Sequence, residues 1–212
     1  IVPFFKKKNF LKKCINSIQR QSYRNIEVII IYDDPEMEDL NYVKTLSRIK
    51  NFSLIINKKN LGAGKSRNLG IKIAKGKYIS FLDSDDYWKK DKVKVQINFM
   101  KKNNLSFSHT NYYLVDEKDK ILGLMNVKKK LNYQDLIKSC DIGLSTVMIK
   151  KELLKGNSFS KYKTKEDYSL WLKIAKKNVK ILGIKKNLVY WRKTKGSLSS
   201  NLWQKLTDAF KV

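Results

Sequence analysis

The chain has 212 residues, enough for a full hydrophobic core, and its formal net charge is +27, from 46 Lys and Arg against 19 Asp and Glu. This charge predicts attraction to polyanions, yet only five of the 46 cationic residues are Arg, and no RNP, zinc or helix-turn-helix pattern is visible. We therefore expect no nucleic acid partner. No apolar run approaches the roughly 20 residues that span a bilayer, so any membrane association should be peripheral. The two cysteines lie far apart, which fits a reducing cytosol.

Strands and helices are predicted to alternate through the first part of the chain. The predicted strands are Ile1 to Phe5, Ile26 to Tyr32, Phe52 to Asn57 and the apolar run that ends at Leu82. The predicted helices begin at an N-cap at Asn9, include Leu40, Val43 and Leu46, and extend from about Gly64 to Ala74. Four strands that alternate with three helices predict a parallel, doubly wound sheet.

The later elements predict a mixed topology. In chain order we expect a helix with Val93 and Ile97, a strand over 106–115, a hairpin turn from Asp116 to Lys120, a strand from Ser145 to Ile149, a helix from Thr164 to Lys176, strands from Lys180 to Ile184 and from Asn187 to Arg192, and a helix over about 200–212. Because short strands and a hairpin follow the parallel part, antiparallel pairs should join the sheet.

Three carboxylates stand where an apolar strand ends, at Asp83, Asp85 and Asp86. Ligands bind at the carboxyl ends of strands in open α/β sheets, and clustered carboxylates are typical ligands of Mg²⁺ or Mn²⁺. The alternative is an Asp-rich turn that caps a helix starting near Lys89. Asp33 and Asp34 end the second strand and should lie at the same edge of the sheet.

The stretch from Gly62 to Ser66 contains GKS but does not form a phosphate-binding P-loop. A P-loop needs a further glycine five residues before the Gly of GKS, and Lys59 occupies that position. Arg67 stands where the third glycine of a dinucleotide-binding GxGxxG motif belongs, so that motif is weak as well. His109 has no partner motif in the sequence and is interpreted as a structural residue.

Seven blocks in order give the chain a family resemblance. They are PFF at 3–5, IEVIIIYDD at 26–34, NLGAGKSRNLG at 60–70, GKYISFLDSDDYW at 76–88, LSTVMIKKELL at 144–154, KEDYSLWLKIA at 165–175 and YWRKTKGSLS at 190–199. Together they resemble the inverting glycosyltransferases of family 2. The resemblance implies one GT-A (Rossmann-like) α/β domain over 1–212, with a mostly parallel central sheet that becomes mixed and helices on both faces. It also implies a nucleotide-binding half over about 1–90 and an acceptor-binding half over about 91–199.

The same resemblance implies a site for a nucleotide sugar and a divalent metal. The DxD motif of the family is Asp83-Ser84-Asp85 here, and it implies that Asp83 and Asp85 hold Mn²⁺ or Mg²⁺ at the diphosphate while Asp83 and Ser84 contact the donor. The other implied donor contacts are Pro3, Phe5, Asp34, Asn60, Gly62, Arg67, Arg192 and Lys195. Thr194 replaces a histidine that the family often has, and Lys193 or Lys195 is expected to supply part of the missing phosphate contact.

The pair Glu166-Asp167 matches the family's acidic pair, in which the Asp is usually the catalytic base. We therefore predict Asp167 as the base and keep Glu166 as the alternative. The other interpretation is an ordinary acidic first turn of a helix, where carboxylates interact favourably with the helix dipole. Displacement at an anomeric carbon needs one carboxylate to take the acceptor proton and a cation to neutralise the departing diphosphate.

The predicted function is inverting transfer of a sugar from a nucleotide donor, expected to be a UDP-sugar, to a hydroxyl of a lipid or saccharide acceptor. The alternatives are a nucleic-acid-binding module and a nucleotidyltransferase. The expected location is the cytoplasm, peripheral on the inner face of the cytoplasmic membrane, with an anionic membrane surface as a partner. A last helix with Leu202, Trp203, Leu206 and Phe210 would either place aromatics at that surface or pack on the core.

Overall fold

Parallel strands alternate with helices in the first part of the fold, as the sequence predicts. A computed structural model describes residues 1–140 and 142–194. The strands are β1 (Val2–Phe4), β2 (Val28–Tyr32), β3 (Phe52–Ile56) and β4 (Tyr78–Ser80), and the helices are α1 (Lys8–Gln19), α2 (Leu40–Ser47) and α3 (Ala63–Ile73). Strand β2 pairs in parallel with β1 on one side and with β3 on the other. All five residues of β2 are buried, which explains its continuous apolar run.

Residue Ile1 connects β1 to β4. Its backbone nitrogen donates to the carbonyl of Ser80 at 2.9 Å, and its carbonyl accepts from the backbone N–H of Leu82 at 3.1 Å. The carboxyl ends of β2 and β4 therefore lie at one edge of the sheet. Asp33 follows β2 and Asp83 follows β4, so the expectation that both acidic strand ends share an edge is confirmed.

The rest of the fold is a mixed sheet, which confirms the predicted change of topology. Its elements are β5 (Tyr87–Trp88), α4 (Lys92–Lys102), β6 (Phe107–Val115), β7 (Ile121–Met125), β8 (Lys130–Leu131), α5 (Tyr133–Lys138), β9 (Met148–Lys150), α6 (Glu166–Ala175) and β10 (Ile181–Arg192). The strand order is β4-β9-β6-β10-β5, with β7 added to β6 and β8 to β10. Strands β6 and β10 are parallel, and the other pairs in this sheet are antiparallel.

Two apolar clusters lie on opposite faces of the sheet. Ile29 and Ile31 of β2 belong to a cluster with side chains of α6, whereas the alternate residues Ile30 and Tyr32 belong to a cluster with side chains of α1 and α4. Successive side chains of a strand point to opposite faces, so both faces of β2 are covered by helices. The predicted α/β fold with helices on both faces is confirmed.

Several predicted boundaries are wrong. Lys180 to Ile184 and Asn187 to Arg192 form the single strand β10, because both parts pair with β6 and the two register shifts between Ile184 and Val189 absorb the break. The stretch from Ser145 begins in a 3₁₀ turn and becomes a strand only at Met148, since the Thr146 hydroxyl closes that turn onto the Gly143 carbonyl.

Helix α1 begins at Lys8 without a side-chain cap, so the predicted N-cap at Asn9 is also wrong. Helix α4 begins at Lys92, three residues after the predicted start near Lys89. The predicted last helix over about 200–212 lies outside the described residues. Within 1–140 and 142–194, every helix is too short or too polar to cross a membrane.

Candidate active site

Asp33 holds the loop that leads into α3. Its carboxylate accepts hydrogen bonds from the backbone N–H groups of Leu61 at 2.9 Å and Gly62 at 2.8 Å, and from the Asn57 amide at 2.7 Å. Gly62 has a φ of 82°, a backbone conformation that glycine adopts without strain. Asp33 is therefore a positioning residue that the sequence analysis did not assign. Its neighbour Asp34 is buried, and its carboxylate accepts from the Glu36 N–H at 3.2 Å.

The segment from Asp83 to Asp86, which follows β4, is called the acidic loop here. Arg67 on α3 connects this loop to the start of α6. Its Nη1 donates to Glu166 Oε1 at 2.6 Å, and its Nη2 donates to Asp83 Oδ1 at 2.7 Å. The close approach depends on Gly64, because a Cβ there would lie 2.8 Å from the Ser160 carbonyl oxygen and 3.1 Å from Glu166 Cγ. Two of the predicted blocks, 76–88 and 165–175, therefore meet at one guanidinium.

The Arg67 side chain is only 4% exposed, so its charge depends on its partners. Burial by itself lowers the pKa of Arg67, but the negative charges of Asp83 and Glu166 raise it by more, so the group stays cationic. A buried ion pair is strongly disfavoured when one partner is removed. Arg67 was predicted as a nucleotide contact. In this structure both of its terminal nitrogens are engaged by carboxylates, and the contact with a donor stays a prediction.

Asp86 was predicted, with Asp83 and Asp85, as one of three carboxylates for a divalent cation, but here it supports the acidic loop from the protein interior. Asp86 is buried and accepts from the Ser145 hydroxyl at 2.5 Å and from the Arg192 N–H at 2.8 Å. The Ser145 hydroxyl also accepts from the Asp83 N–H at 3.2 Å. Helix α4 has Asp91 as its N-cap residue without a side-chain hydrogen bond, so the alternative of an acidic cap on this helix is not supported.

Asp85 faces two groups that are distant in sequence, Lys7 and Thr194. Its Oδ2 lies 3.5 Å from both the Lys7 ammonium and the Thr194 hydroxyl, and Lys7 Nζ donates to Thr194 Oγ1 at 2.7 Å. Burial and the nearby charge of Asp83 raise the pKa of Asp85. The lysine that lies next to the replaced histidine position is thus Lys7. Sequence analysis missed it because 187 positions separate it from Thr194.

Of the two lysines proposed from the sequence, Lys193 lies in the part of the chain that the structure describes. Lys193 has an exposed side chain, and its backbone N–H donates to the Val115 carbonyl. Lys195 lies outside the described residues. Lys7 is therefore the lysine for which the structure provides a contact with the acidic loop.

Arg192 connects the acidic loop to the turn between β6 and β7. Its Nε donates to the Asp85 carbonyl at 2.9 Å, its Nη1 to the Asp116 carbonyl at 2.7 Å and its Nη2 to Asp119 Oδ1 at 2.7 Å. The side chain is nearly fully buried. Arg192 therefore fixes the shape of the loop, and its predicted contact with the donor is a second role that stays a prediction.

Glu166 and Asp167 open α6, but they differ in their contacts. Glu166 is bound to Arg67, whereas Asp167 Oδ1 accepts only from the N–H of Tyr168 among the hydrogen bonds found for it, at 2.8 Å. Burial and the charge of Glu166 raise the pKa of Asp167 to about 6, although Arg67 acts in the opposite direction. Asp167 therefore has the raised pKa that suits a general base working near neutral pH.

The remaining predicted donor contacts surround the same edge. Phe5 and Asn60 are exposed, Pro3 lies partly buried in β1, and Ser84 is a buried residue of the acidic loop. In the part of the chain that the structure describes, no group of three or more His, Cys, Asp or Glu residues is arranged to hold a metal ion. Asp83 and Asp85 are thus a pair of carboxylates without a third protein ligand of that kind. His109 is buried in β6, as a structural residue would be.

Comparisons with known proteins identify the family of this chain. A sequence model described as glycosyl transferase family 2 matches residues 1–156. The UDP-Glc:alpha-D-GlcNAc-diphosphoundecaprenol beta-1,3-glucosyltransferase WfaP of Escherichia coli is 38% identical over 209 residues, which are 97% of this chain and 81% of that protein.

Solved structures show the same fold. The S. aureus TarS fragment 1-349 in complex with UDP-GlcNAc superposes with a TM-score of 0.79 at 23% identity, over 94% of this chain and 60% of that one. The mannosyltransferase PcManGT from Pyrobaculum calidifontis, in complex with GDP-Man and Mn²⁺, gives 0.72 at 14% identity, over 100% and 63%. The family match over most of the chain and the shared GT-A fold lead to one conclusion. This chain belongs to glycosyl transferase family 2 and is a glycosyltransferase.

Proposed function

We propose that the enzyme transfers a hexose or hexuronic residue from a UDP-sugar to a hydroxyl of a lipid-linked acceptor, with inversion and with a bound divalent cation. The observation that supports this most strongly is the bridge from Asp83 through Arg67 to Glu166, because it brings the acidic loop and the carboxylate pair of α6 into one site. The relative WfaP supports the donor and acceptor classes, since its name specifies UDP-glucose and a diphosphoundecaprenol-linked GlcNAc.

Asp83 and Asp85 suit a divalent cation whose remaining ligands come from the diphosphate of the donor. Mg²⁺ is commonly bound by one or two carboxylates together with substrate phosphates, so Asp83 and Asp85 suffice without a third protein carboxylate. Asp83 Oδ1 is bound to Arg67, and its side chain is 30% exposed, which leaves its second oxygen available. When bound, the cation would neutralise the charge that develops on the departing diphosphate. The same fold accommodates a divalent cation beside a sugar nucleotide in PcManGT, whose structure is a complex with GDP-Man and Mn²⁺.

Asp167 would act as the base of the transfer. The acceptor hydroxyl oxygen attacks the anomeric carbon, its proton passes to the Asp167 carboxylate, and the bond from the anomeric carbon to the diphosphate oxygen breaks to release UDP. Glu166 is held by Arg67, so we assign it the role of positioning that arginine against Asp83. A single displacement of this kind inverts the configuration at the anomeric carbon.

The pH dependence of turnover should report the Asp167 carboxylate. Its pKa is raised to about 6, and a base must be deprotonated to act, so turnover should fall as the pH drops below about 6 and level off above it. The measurement is the rate of UDP release at saturating donor and acceptor from pH 5 to pH 8, with equilibrium donor binding measured at each pH. A profile that follows donor binding alone, with constant turnover of the bound enzyme, would contradict this assignment.

Lys7 should contribute to binding of the diphosphate. Replacement of Lys7 by Met removes the ammonium beside Asp85 and should weaken UDP binding about tenfold, as expected for a lost hydrogen bond to a charged group. Titration calorimetry with UDP measures this, and Lys12→Met is the matched control because Lys12 is an exposed lysine of α1, the helix that directly follows Lys7. Equal UDP affinities of the Lys7 and Lys12 variants would remove Lys7 from the donor site.

A screen of nucleotide sugars tests the proposed function. With Mn²⁺ or Mg²⁺ and a diphosphopolyprenol-linked saccharide, we expect UDP release from one or a few UDP-sugars and its loss in excess chelator. The anomeric configuration of the product, read by NMR, tests inversion. Release of pyrophosphate from a nucleoside triphosphate instead would favour a nucleotidyltransferase.

The acceptor class also supports a location at the membrane. We propose that the enzyme is cytoplasmic and acts peripherally on the inner face of the cytoplasmic membrane, where a diphosphopolyprenol acceptor would present its saccharide to a nucleotide sugar. Fractionation of cells that express the full protein tests this, since a peripheral enzyme should leave the membrane fraction at high salt.

A further inference from the structure

An exposed apolar strip lies on β7, the strand that follows the turn after β6. Its side chains are Ile121, Leu122, Leu124 and Met125, which are 53%, 49%, 45% and 47% exposed. Strand β7 pairs with β6 along one side, and no other pairing is found for it in the described part of the chain. A strand whose apolar side chains are exposed on both faces is unusual in a soluble monomer, and such patches mark interaction surfaces.

Lysines flank this strip at both ends. Lys118 and Lys120 lie in the turn before it, and Lys128, Lys129 and Lys130 follow it, all with exposed side chains. From Lys120 to Lys130 there are four lysines and no acidic residue, whereas the turn before Lys120 also contains Asp116, Glu117 and Asp119. Apolar side chains between clusters of lysine are the combination that binds an anionic membrane surface.

Charge also argues against a second copy of this chain as the occupant. Parallel pairing of two β7 edges would place Lys128, Lys129 and Lys130 opposite the same lysines of the other copy, and like charges across strands are destabilising. The formal net charge of +27 adds to this repulsion between copies. Anionic headgroups would neutralise the same lysines.

The strip is firmly connected to the candidate active site. Asp119 in the preceding turn accepts from Arg192 at 2.7 Å and pairs with Lys13 of α1 at 2.7 Å. Arg192 in turn donates to the carbonyl of Asp85 in the acidic loop. A surface that binds β7 is therefore held at a set position relative to that loop.

We propose that β7 is a membrane-docking strand, whose apolar strip enters the headgroup region of an anionic bilayer while the flanking lysines contact lipid phosphates. Docking itself is independent of transfer, and its purpose, presenting a lipid-linked acceptor to the acidic loop, rests on the proposed function. The hairpin is thus the element that positions the enzyme on the membrane.

Flotation of the purified full chain with vesicles tests the proposal, without donor or acceptor. Wild type should bind vesicles of phosphatidylglycerol and phosphatidylcholine and lose this binding on pure phosphatidylcholine or at high salt. The triple variant Leu122→Ser, Leu124→Ser, Met125→Ser should bind at least about tenfold more weakly, because it loses most of the apolar area. The variant Lys128→Gln, Lys129→Gln, Lys130→Gln should weaken binding by a similar factor.

Two control variants remove equivalent groups elsewhere. Ile56→Ser with Ile73→Ser replaces side chains that are 40% and 39% exposed outside the strip, and Lys94→Gln, Lys101→Gln, Lys102→Gln removes three exposed lysines of α4. Both should bind vesicles like wild type, and all variants should keep the wild-type circular dichroism spectrum. Transfer to a short-chain, water-soluble acceptor should be unchanged in the β7 triple variant.

The proposal would be overturned if wild type did not bind anionic vesicles, or if the β7 triple variant bound them as tightly as wild type does. It would also be overturned if wild type did not bind vesicles but sedimented as a dimer, and the β7 triple variant sedimented as a monomer. The last result would assign the strip to a second copy. Failure of docking leaves transfer to the soluble acceptor intact, whereas failure of the proposed function leaves vesicle binding intact, so the two are distinguishable.

Discussion

Asp167→Asn should lower turnover by a factor of ~10²–10⁴, while UDP-sugar binding stays close to wild type. The amide cannot accept the acceptor proton, and the loss falls on the transition state rather than on the donor. The substitution should leave the fold intact, because the hydrogen bond that the Asp167 carboxylate accepts within the described residues comes from the adjacent Tyr168 N–H, which an amide oxygen can also accept. Single-turnover rates and donor titrations on the same preparation measure the two quantities.

Glu166→Gln is the matched control for Asp167→Asn, because it alters the neighbouring residue and likewise replaces a carboxylate by a neutral amide. It keeps a hydrogen-bond acceptor for Arg67 but removes one of the two charges that the buried guanidinium pairs with. We therefore expect a lower thermal stability and a smaller loss of turnover than in Asp167→Asn. An inactive Glu166→Gln beside an active Asp167→Asn would show that the base is Glu166.

Asp85→Asn should weaken UDP binding in the presence of Mn²⁺ by roughly a hundredfold, since removing one partner of a buried charge contact typically costs 2–5 kcal/mol. With chelator present, the difference from wild type should disappear, because only the cation connects Asp85 to the diphosphate. Asp85 is a cleaner test than Asp83, whose carboxylate also holds Arg67. Calorimetric titration of UDP with and without Mn²⁺ measures both affinities.

Asp91→Asn serves as the control for charge, because Asp91 is exposed and makes no side-chain cap on α4. Its UDP affinity should equal that of wild type under both conditions. If Asp85→Asn bound UDP as tightly as wild type with Mn²⁺ present, the proposed metal site at Asp83 and Asp85 would be wrong.

The sequence by itself determined the architecture of the first part of the fold. The buried run of β2, the helical spacing in α1 and the acidic end of β4 are local patterns, and local patterns report burial and periodicity directly. The order of the seven blocks was enough to indicate the family. The predicted ends of strands were less accurate where pairing with another strand determines them. The two strands predicted over β10 are one strand, because both parts pair with β6.

Only the tertiary structure decided which polar groups meet. Arg67 and Glu166 are 99 positions apart, and Lys7 and Thr194 are 187 apart, so no periodic pattern relates them. Asp33 was missed because its role is to hold a neighbouring loop, which depends on how α3 packs against the sheet. Our proposal of Asp167 as the base, which the family resemblance already favoured, gains support from the contact of Glu166 with the buried Arg67. Hydrogen bonds and ion pairs act over a few ångströms in space, and separation along the chain does not encode that distance.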